Sequence, residues 1–329
     1  MQLQMYSEKW VLDTPFVISR ESTSCQDVLV VEASDGQHMG HGESSPTARY
    51  GESVESIISQ FTLLQQRLKD DPDIILTPQS LQALMRPGAA RNAVDCALWD
   101  LVSKQQHKPV WQYFDMSEPK PVDTVFTISL DRPQAMALAA KKVKGHAVLK
   151  LKFGGEGDID RIAAIRDVLP DQRLIIDANE AWSPDQIELL LDVMHKNNVE
   201  MVEQPLCAGQ DDILSSIKHP MTICADESCH TSLDLASLVG KYDMVNIKLD
   251  KTGGLTEAMM LLKKAKEMNF EIMVGCMVGT SLAMAPGLLI AQHSQYVDLD
   301  GPLLMGRDRD VALKYAEGLV YPNHQGLWG

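Results

Sequence analysis

The hydrophobic rhythm of the chain changes near residue 120. Before it, Val28–Ala33 and Gln37–Gly42 flank the turn Ser34-Asp35-Gly36. Asp-Gly between two apolar runs predicts an antiparallel hairpin. Gly51–Asp70 and Ala89–Lys104 carry apolar residues at helical spacing, as in Ala93, Ala97, Leu98 and Leu101. Strands followed by helices predict a small α+β domain over residues 1–120.

From 121 to 329, short β-branched runs alternate with amphipathic helices. The predicted strands are Thr124–Leu130, Ala147–Phe153, Arg173–Asp177, Glu200–Glu203, Thr222–Asp226, Met244–Leu249, Glu271–Cys276 and Tyr296–Asp300. Helices fill most of the gaps. One is predicted to begin at Ser183-Pro184, an N-cap followed by proline at the first helical position. Another spans Leu255–Met268, with Ala258, Leu261, Leu262 and Ala265 on one face. Eight strands at this regular spacing predict an α/β fold of the parallel barrel type. The rival, an open doubly wound sheet, lacks its phosphate fingerprint: no G-x-G-x-x-G follows from Gly154-Gly155.

Charged residues interrupt these apolar strands at their C-terminal ends. Lys150 and Lys152 end the second, Asp177 the third, Glu203 the fourth and Asp226 the fifth, and Lys248 lies in the sixth. From Lys152 the steps are 25, 26, 23 and 22 residues, one charge per βα unit. A charge buried in a strand costs several kcal/mol unless it is paired or bound to metal. The C-terminal end is the face where barrel active sites form. The bland alternative is a plug of ion pairs closing the barrel.

Neighbouring strands would bring Asp177, Glu203 and Asp226 to one spot, where they repel unless a cation joins them. All-oxygen ligands favour Mg²⁺, or else Mn²⁺. Strands two and six lie opposite each other in an eight-stranded barrel, so Lys152 and Lys248 would approach a metal-bound substrate from two sides. Lys150 shares a face with Lys152. Its charge would help lower the pKa of Lys152. Two bases flanking a metal-bound carboxylate suit removal and return of an α-proton with no organic cofactor.

Composition narrows the alternatives. The 329 residues are 45% hydrophobic and 23% charged, which excludes wholesale disorder. The net charge of −15 argues against nucleic acid and anionic membrane partners, and fits any assembly state, a homo-oligomer included. No apolar run reaches the ~20 residues of a membrane span. The N-terminus MQLQMYSEKW has no apolar core and is not read as a signal peptide. Six scattered cysteines fit a reducing cytoplasm. Cys224, Cys229 and His230 are close in sequence but match no zinc-finger spacing.

The K-x-K, D-x-N, E-Q-P and A-D-E strand ends and the later lysine resemble the enolase superfamily, in its muconate-lactonising-enzyme-like group. The segments that carry the likeness are TPFVISR (14–20), RYGES (49–53), ARNAVDCALWD (90–100), ICADESCH (223–230), MVNIKLDKTGGLTEA (244–258) and DLDGP (298–302). The resemblance implies an N-terminal capping domain and a modified (β/α)7β TIM-type barrel. Within the group the chain is similar to the dipeptide epimerases of bacterial peptidoglycan recycling that act on L-Ala-D/L-Glu.

That resemblance makes Lys152 and Lys248 the acid/base pair, Lys150 their support, and Asp177, Glu203 and Asp226 the Mg²⁺ ligands. Asp298 and Asp300 would hold the dipeptide's ammonium; two carboxylates two residues apart share a face and suit a cation. Arg20 lies in a flap and would grip a glutamate side chain, with a solvated surface arginine as the alternative. A second capping loop near Tyr50 would exclude water. Thr127 is read either as pocket lining or as core. Asn179 either backs the metal site or caps its strand. Glu227 and Asp250 would orient ligands or lysines rather than react. The 17 methionines read as packing residues. The C-terminal tail is expected to fold back on the capping domain. Rival reactions of the same family, N-acylamino acid racemisation, o-succinylbenzoate synthesis and cycloisomerisation, would use the same lysines and metal but need no ammonium site.

Overall fold

The computed structural model of the chain describes residues 1–143, 145–322 and 326–329. Its N-terminal part is an antiparallel sheet of β1 (Gln2–Val17), β2 (Ser22–Ser34) and β3 (Met39–Ser44), in the order β1-β2-β3. The predicted hairpin is present, with Ser34 paired to Met39. The long strand β1 was not predicted. It is buried on different faces along its length: Leu3 and Met5 pack on the capping helices, Trp10 and Leu12 on the barrel core. The same alternation divides β2. Val28 and Val30 belong to the barrel core, and Leu29, Val31 and Ala33 to the capping core. The continuous run Val28–Val31 therefore reflects a strand covered on both sides.

Three helices cover the far face: α1 (Val54–Asp70), α2 (Pro78–Leu84) and α3 (Ala89–Gln106). Helix α1 starts at Val54, later than the periodicity suggests, because Ser53 and Ser56 cap each other's backbone N–H groups. Strand β3 lies almost on the backbone of α3. A Cβ at Gly42 would stand 2.1 Å from the carbonyl oxygen of Ala93. Glycine on the strand and alanine on the helix make that contact possible.

The chain then passes through β4 (Val122–Asp123) into eight parallel strands: β5 (Phe126–Ile128), β6 (Val148–Lys152), β7 (Arg173–Asp177), β8 (Val199–Glu203), β9 (Thr222–Ala225), β10 (Met244–Lys248), β11 (Glu271–Gly275) and β12 (Tyr296–Val297). They pair in chain order, and the Val125 N–H donates to the Val297 carbonyl at 2.8 Å across the remaining seam. The helices are α4 (Pro133–Lys142), α5 (Asp158–Val168), α6 (Ile187–Lys196), α7 (Leu235–Leu238), α8 (Leu249–Thr252), α9 (Leu255–Glu267), α10 (Ser281–Ala291) and α11 (Gly301–Leu304).

Several predicted boundaries move by a residue or two, and the larger shifts have physical causes. Strand β5 is shorter than Thr124–Leu130, because Ser129 and Leu130 turn away to hydrogen-bond Val17 of β1. Strand β12 stops at Val297, and the Leu299 N–H donates to the Thr124 hydroxyl instead of a strand. Ser183-Pro184 begins a turn, with Gln186 N–H on the Ser183 carbonyl, and α6 starts only at Ile187.

Period-two alternation fills the barrel in layers. Val125, Val148, Ile175, Met201, Cys224, Met244 and Met273 form one apolar layer. Two residues further along most of the same strands come the charged groups. A C-terminal hairpin, β13 (Lys314–Ala316) and β14 (Leu319–Tyr321), adds to β4. The last residues reach α3, where Trp328 Nε1 donates to the Cys96 carbonyl and Gly329 N–H to Asp100.

Between the two parts, Asp95 of α3 is fully buried and accepts from Thr256 N, Thr256 Oγ1 and Gln82 Nε2. Burial pushes its carboxyl up to about 7, against the hydrogen bonds from Thr256. A carboxyl that binds its proton more tightly when folded adds stability that is complete below its unfolded pKa, near 4, and is lost as pH rises through about 7. Urea midpoints of the wild type and Asp95→Asn should therefore diverge in favour of Asn as pH climbs from 4 to 7, then run parallel. A gap independent of pH would refute this.

Candidate active site

The charged layer holds four lysines and four carboxylates in direct contact. Register places Lys152 beside Asp177 and Asp177 beside Glu203 on adjacent strands. Asp226 follows β9 immediately. One carboxylate oxygen from each of Asp177, Glu203 and Asp226 lies within 4.8 Å of the other two, and all three residues are buried. The Lys152 ammonium donates to Asp177 Oδ2 at 2.6 Å, and that of Lys248 to Asp226 Oδ2 at 2.7 Å. The two lysines thus stand at the two ends of the triad, on strands four apart. Gly275 makes room for one of them: a Cβ there would come within 2.9 Å of the Lys248 side chain.

Lys150 lies beneath. Its ammonium touches Asp177 at 3.1 Å, Glu203 at 2.6 Å and Asp298 at 2.7 Å. Burial opposes its charge, but Asp298 and the other two carboxylates outweigh burial and hold its pKa well above the ordinary lysine value. Its charge is thus engaged by three acids. Lys248 is likewise raised, Asp226 and Glu203 prevailing over burial.

The acids are driven apart. Burial, then Asp177, pushes Glu203 up to about 7. Burial also works against Asp177 and Asp226, but the lysines beside them hold both below the usual carboxylate range. Three acids converging at this spacing, with oxygen as their only donor atom, fit a hard divalent cation.

Asp298 and Asp300 line the same cleft, a cavity of about 450 Å³. Asp298 is already paired with Lys150, and Asp300 accepts from the Thr127 N–H at 2.7 Å. Burial and the neighbouring Asp298 push Asp300 up to about 7. Thr127 therefore both lines the cleft and positions an acid. Arg20 reaches over the cleft from the capping domain, donating to Glu227 Oε1 and to the Asn179 carbonyl, each at 2.8 Å. Asn179 has a left-handed backbone (φ 43°), and its N–H donates to Asp177 at 2.9 Å. Asp250 accepts from Ser45 N and Asn92 Nδ2 rather than from a lysine, linking α8 to the capping domain. The candidate zinc trio is dispersed. Cys224 lies in the apolar barrel layer, and the His230 ring packs against Tyr50 at 4.5 Å between centroids.

Sequence reasoning missed three contacts. Lys251, one helical turn beyond Lys248, donates to Asp226 Oδ1 at 2.6 Å and is fully buried. Asn246 donates to Glu203 at 2.7 Å. Glu180 binds both capping loops. The readable signal was polar residues clustered around strand ends already singled out, as in DANE (177–180) and NIKLDK (246–251).

A closed parallel barrel with an acid triad between two lysines, roofed by a small α+β domain, defines a class of enzyme. Residues 1–114 match the mandelate racemase/muconate lactonizing enzyme N-terminal domain, and residues 134–327 match the enolase C-terminal domain-like family. The chain belongs to the enolase superfamily and is an isomerase of its muconate-lactonising-enzyme group. It is 41% identical to the L-Ala-D/L-Glu epimerase of Escherichia coli K12 over 97% of this chain and 99% of that one. It is 42% identical to an N-acetyl-D-glutamate racemase of Pseudoalteromonas over 92% and 95%. A solved enolase family member from Agrobacterium tumefaciens, with homology to dipeptide epimerases and with bound sodium and L-Ala-L-Glu, superposes with a TM-score of 0.96 at 46% identity, covering 99% of both chains.

Removing Lys251 would leave Asp226 Oδ1 buried without its ammonium. Breaking such a pair costs about 3 kcal/mol or more. Lys251→Met should lose that much in urea denaturation; a variant as stable as the parent would show the pair to be dispensable.

Proposed function

We propose that this enzyme is a dipeptide epimerase acting on L-Ala-D-Glu and L-Ala-L-Glu, inverting the α-carbon of the C-terminal residue. The observation that carries the reading is the position of Lys152 and Lys248 at opposite ends of one carboxylate triad. The dipeptide in the Agrobacterium protein and the activity of the Escherichia coli relative support it.

Asp177, Glu203 and Asp226 would hold Mg²⁺, with Mn²⁺ as the alternative. These three acids would then share their charge with the cation as well as with the lysines, and the chemistry it would supply is stabilisation of negative charge on the substrate's carboxylate. Lys152, as the free amine, takes the α-proton from one face, and the electron pair moves into the carboxylate to give an enediolate. The Lys248 ammonium returns a proton to the other face, and the roles reverse for the other stereoisomer. Asp298 and Asp300 receive the α-ammonium, and Arg20 meets the glutamate side chain. On this reading the enzyme would serve the recycling of bacterial peptidoglycan in the cytoplasm. No helix among the described residues is long and apolar enough to cross a membrane.

A second reading is racemisation of N-acetylglutamate, which shares the glutamate and lacks the ammonium. Asp298 is neutralised by Lys150 and burial favours a protonated Asp300, so the amine end of the cleft also suits an amide. The Pseudoalteromonas relative has that activity in its name.

One experiment separates the two. The protein is incubated with Mg²⁺ in D₂O with L-Ala-L-Glu, L-Ala-D-Glu or N-acetyl-D-glutamate, and deuterium at the glutamate α-carbon is followed by mass spectrometry. Incorporation with inversion is expected for the dipeptides, falling about 10³-fold or more in Lys152→Ala and Lys248→Ala. Exchange in N-acetylglutamate alone would establish the second reading, and exchange in none would overturn both.

A further inference from the structure

Glu180 has no part in the acid/base or metal chemistry, yet it gathers three separate segments. Its Oε2 accepts from Arg49 Nε at 2.6 Å and Arg20 Nη1 at 3.2 Å, and its Oε1 from Arg49 Nη2 at 2.7 Å and the Ala208 N–H at 2.8 Å. Arg20 belongs to the turn between β1 and β2, Arg49 to the loop after β3, and Ala208 to the loop after β8. The carboxylate is almost fully buried, and both Asn179 and Glu180 have left-handed backbones, φ 43° and 67°. Non-glycine residues in that region persist only where surrounding contacts fix them.

The rest of each loop docks beside the same point. Ser19 Oγ and Arg20 donate to the Asn179 carbonyl. Next to Arg49, the Tyr50 ring packs edge-on against His230. Two segments that roof the cleft are therefore tied to the end of β7 three residues beyond the acid Asp177. The bidentate Arg49 pair has the planar geometry that makes guanidinium–carboxylate contacts directional.

We infer that Glu180 is a positioning residue that latches both capping loops to the end of β7 and so sets the guanidinium of Arg20 over the cleft, fixing selectivity for an acidic C-terminal side chain. The selectivity part rests on the dipeptide reading above; the latch does not. Glu180 touches no reacting atom. Its effect passes through Arg20, whose alternative anchor is Glu227 at 2.8 Å. Without Glu180, Arg20 keeps that anchor but loses lateral restraint, and the Tyr50 loop loses its ion pair.

Both arginines are trypsin sites, which gives a readout free of any substrate. In Glu180→Gln, cleavage after Arg20 and after Arg49, followed by mass spectrometry on the full chain, should accelerate about tenfold or more, with Glu180→Asp in between. Acceleration at one bond only, or at neither, overturns the latch whatever the substrate proves to be. In the dipeptide assay, the ratio of kcat/KM for L-Ala-L-Glu to that for L-Ala-L-Met should fall at least tenfold in Glu180→Gln, chiefly through KM for the acidic dipeptide. An equal loss for both dipeptides, or no loss, overturns the selectivity role. If Glu180→Gln lacks the native thermal transition, Glu180→Asp, which keeps both trypsin sites and the charge but draws the carboxylate back by one methylene, decides: faster cleavage at both bonds and a lowered ratio support the latch and the selectivity role, and acceleration at one bond or neither, or an unchanged ratio, overturns them.

Discussion

The structure depends on charge buried inside a closed barrel. Four lysines and four carboxylates meet at the C-terminal end of the barrel, above a layer of valine, isoleucine, methionine and cysteine. None could be left unpaired there at tolerable cost. Each ammonium is therefore matched to at least one acid, and the acids nearest each other show the strain: Glu203 is pushed towards its protonated form while Asp177 and Asp226 are held ionised. An arrangement in which every ammonium is matched but oxygen donors crowd at one spot gives a doubly charged cation a ready place.

The capping domain is part of this device and not an appendage to it. The sheet of β1–β3 has its own helices on one face and the barrel on the other, so the two parts share a core along that second face. Polar ties cross the boundary as well. Arg309 bridges Glu8 and Glu43, and Glu43 in turn accepts from Thr280, at the head of α10 beside the cleft. Arg91 donates to the carbonyls of Thr252 and Gly253, just past Lys251. The loops that roof the cleft and the strands that floor it are thus held in one frame.

Much of this was legible in the chain. A charge recurring once per βα unit at strand ends marked Lys152, Asp177, Glu203, Asp226 and Lys248, because buried strands otherwise exclude charge. Strand β1 escaped notice because its apolar residues switch from odd to even positions where it passes from one core to the other. Asp250 reads as a site residue in sequence, since it is two from Lys248, but the chain turns into α8 there and its carboxylate points to Ser45 and Asn92. Glu180 and Lys251 were passed over for another reason: the polar clusters after β7 and β10 mark the place, but their partners come from segments far away or from the neighbouring strand end, and a strand pattern does not say which.

The apolar layer of the barrel has a consequence for traffic. With Met201, Met244, Met273 and Cys224 filling the barrel below, the cleft opens on the side of Arg20 and Tyr50. Molecules that reach the buried amines from that side pass beneath these two side chains. Any opening of the roof that passage requires would have to part the Arg49–Glu180 and Arg20–Glu227 ion pairs, however fast the proton moves within.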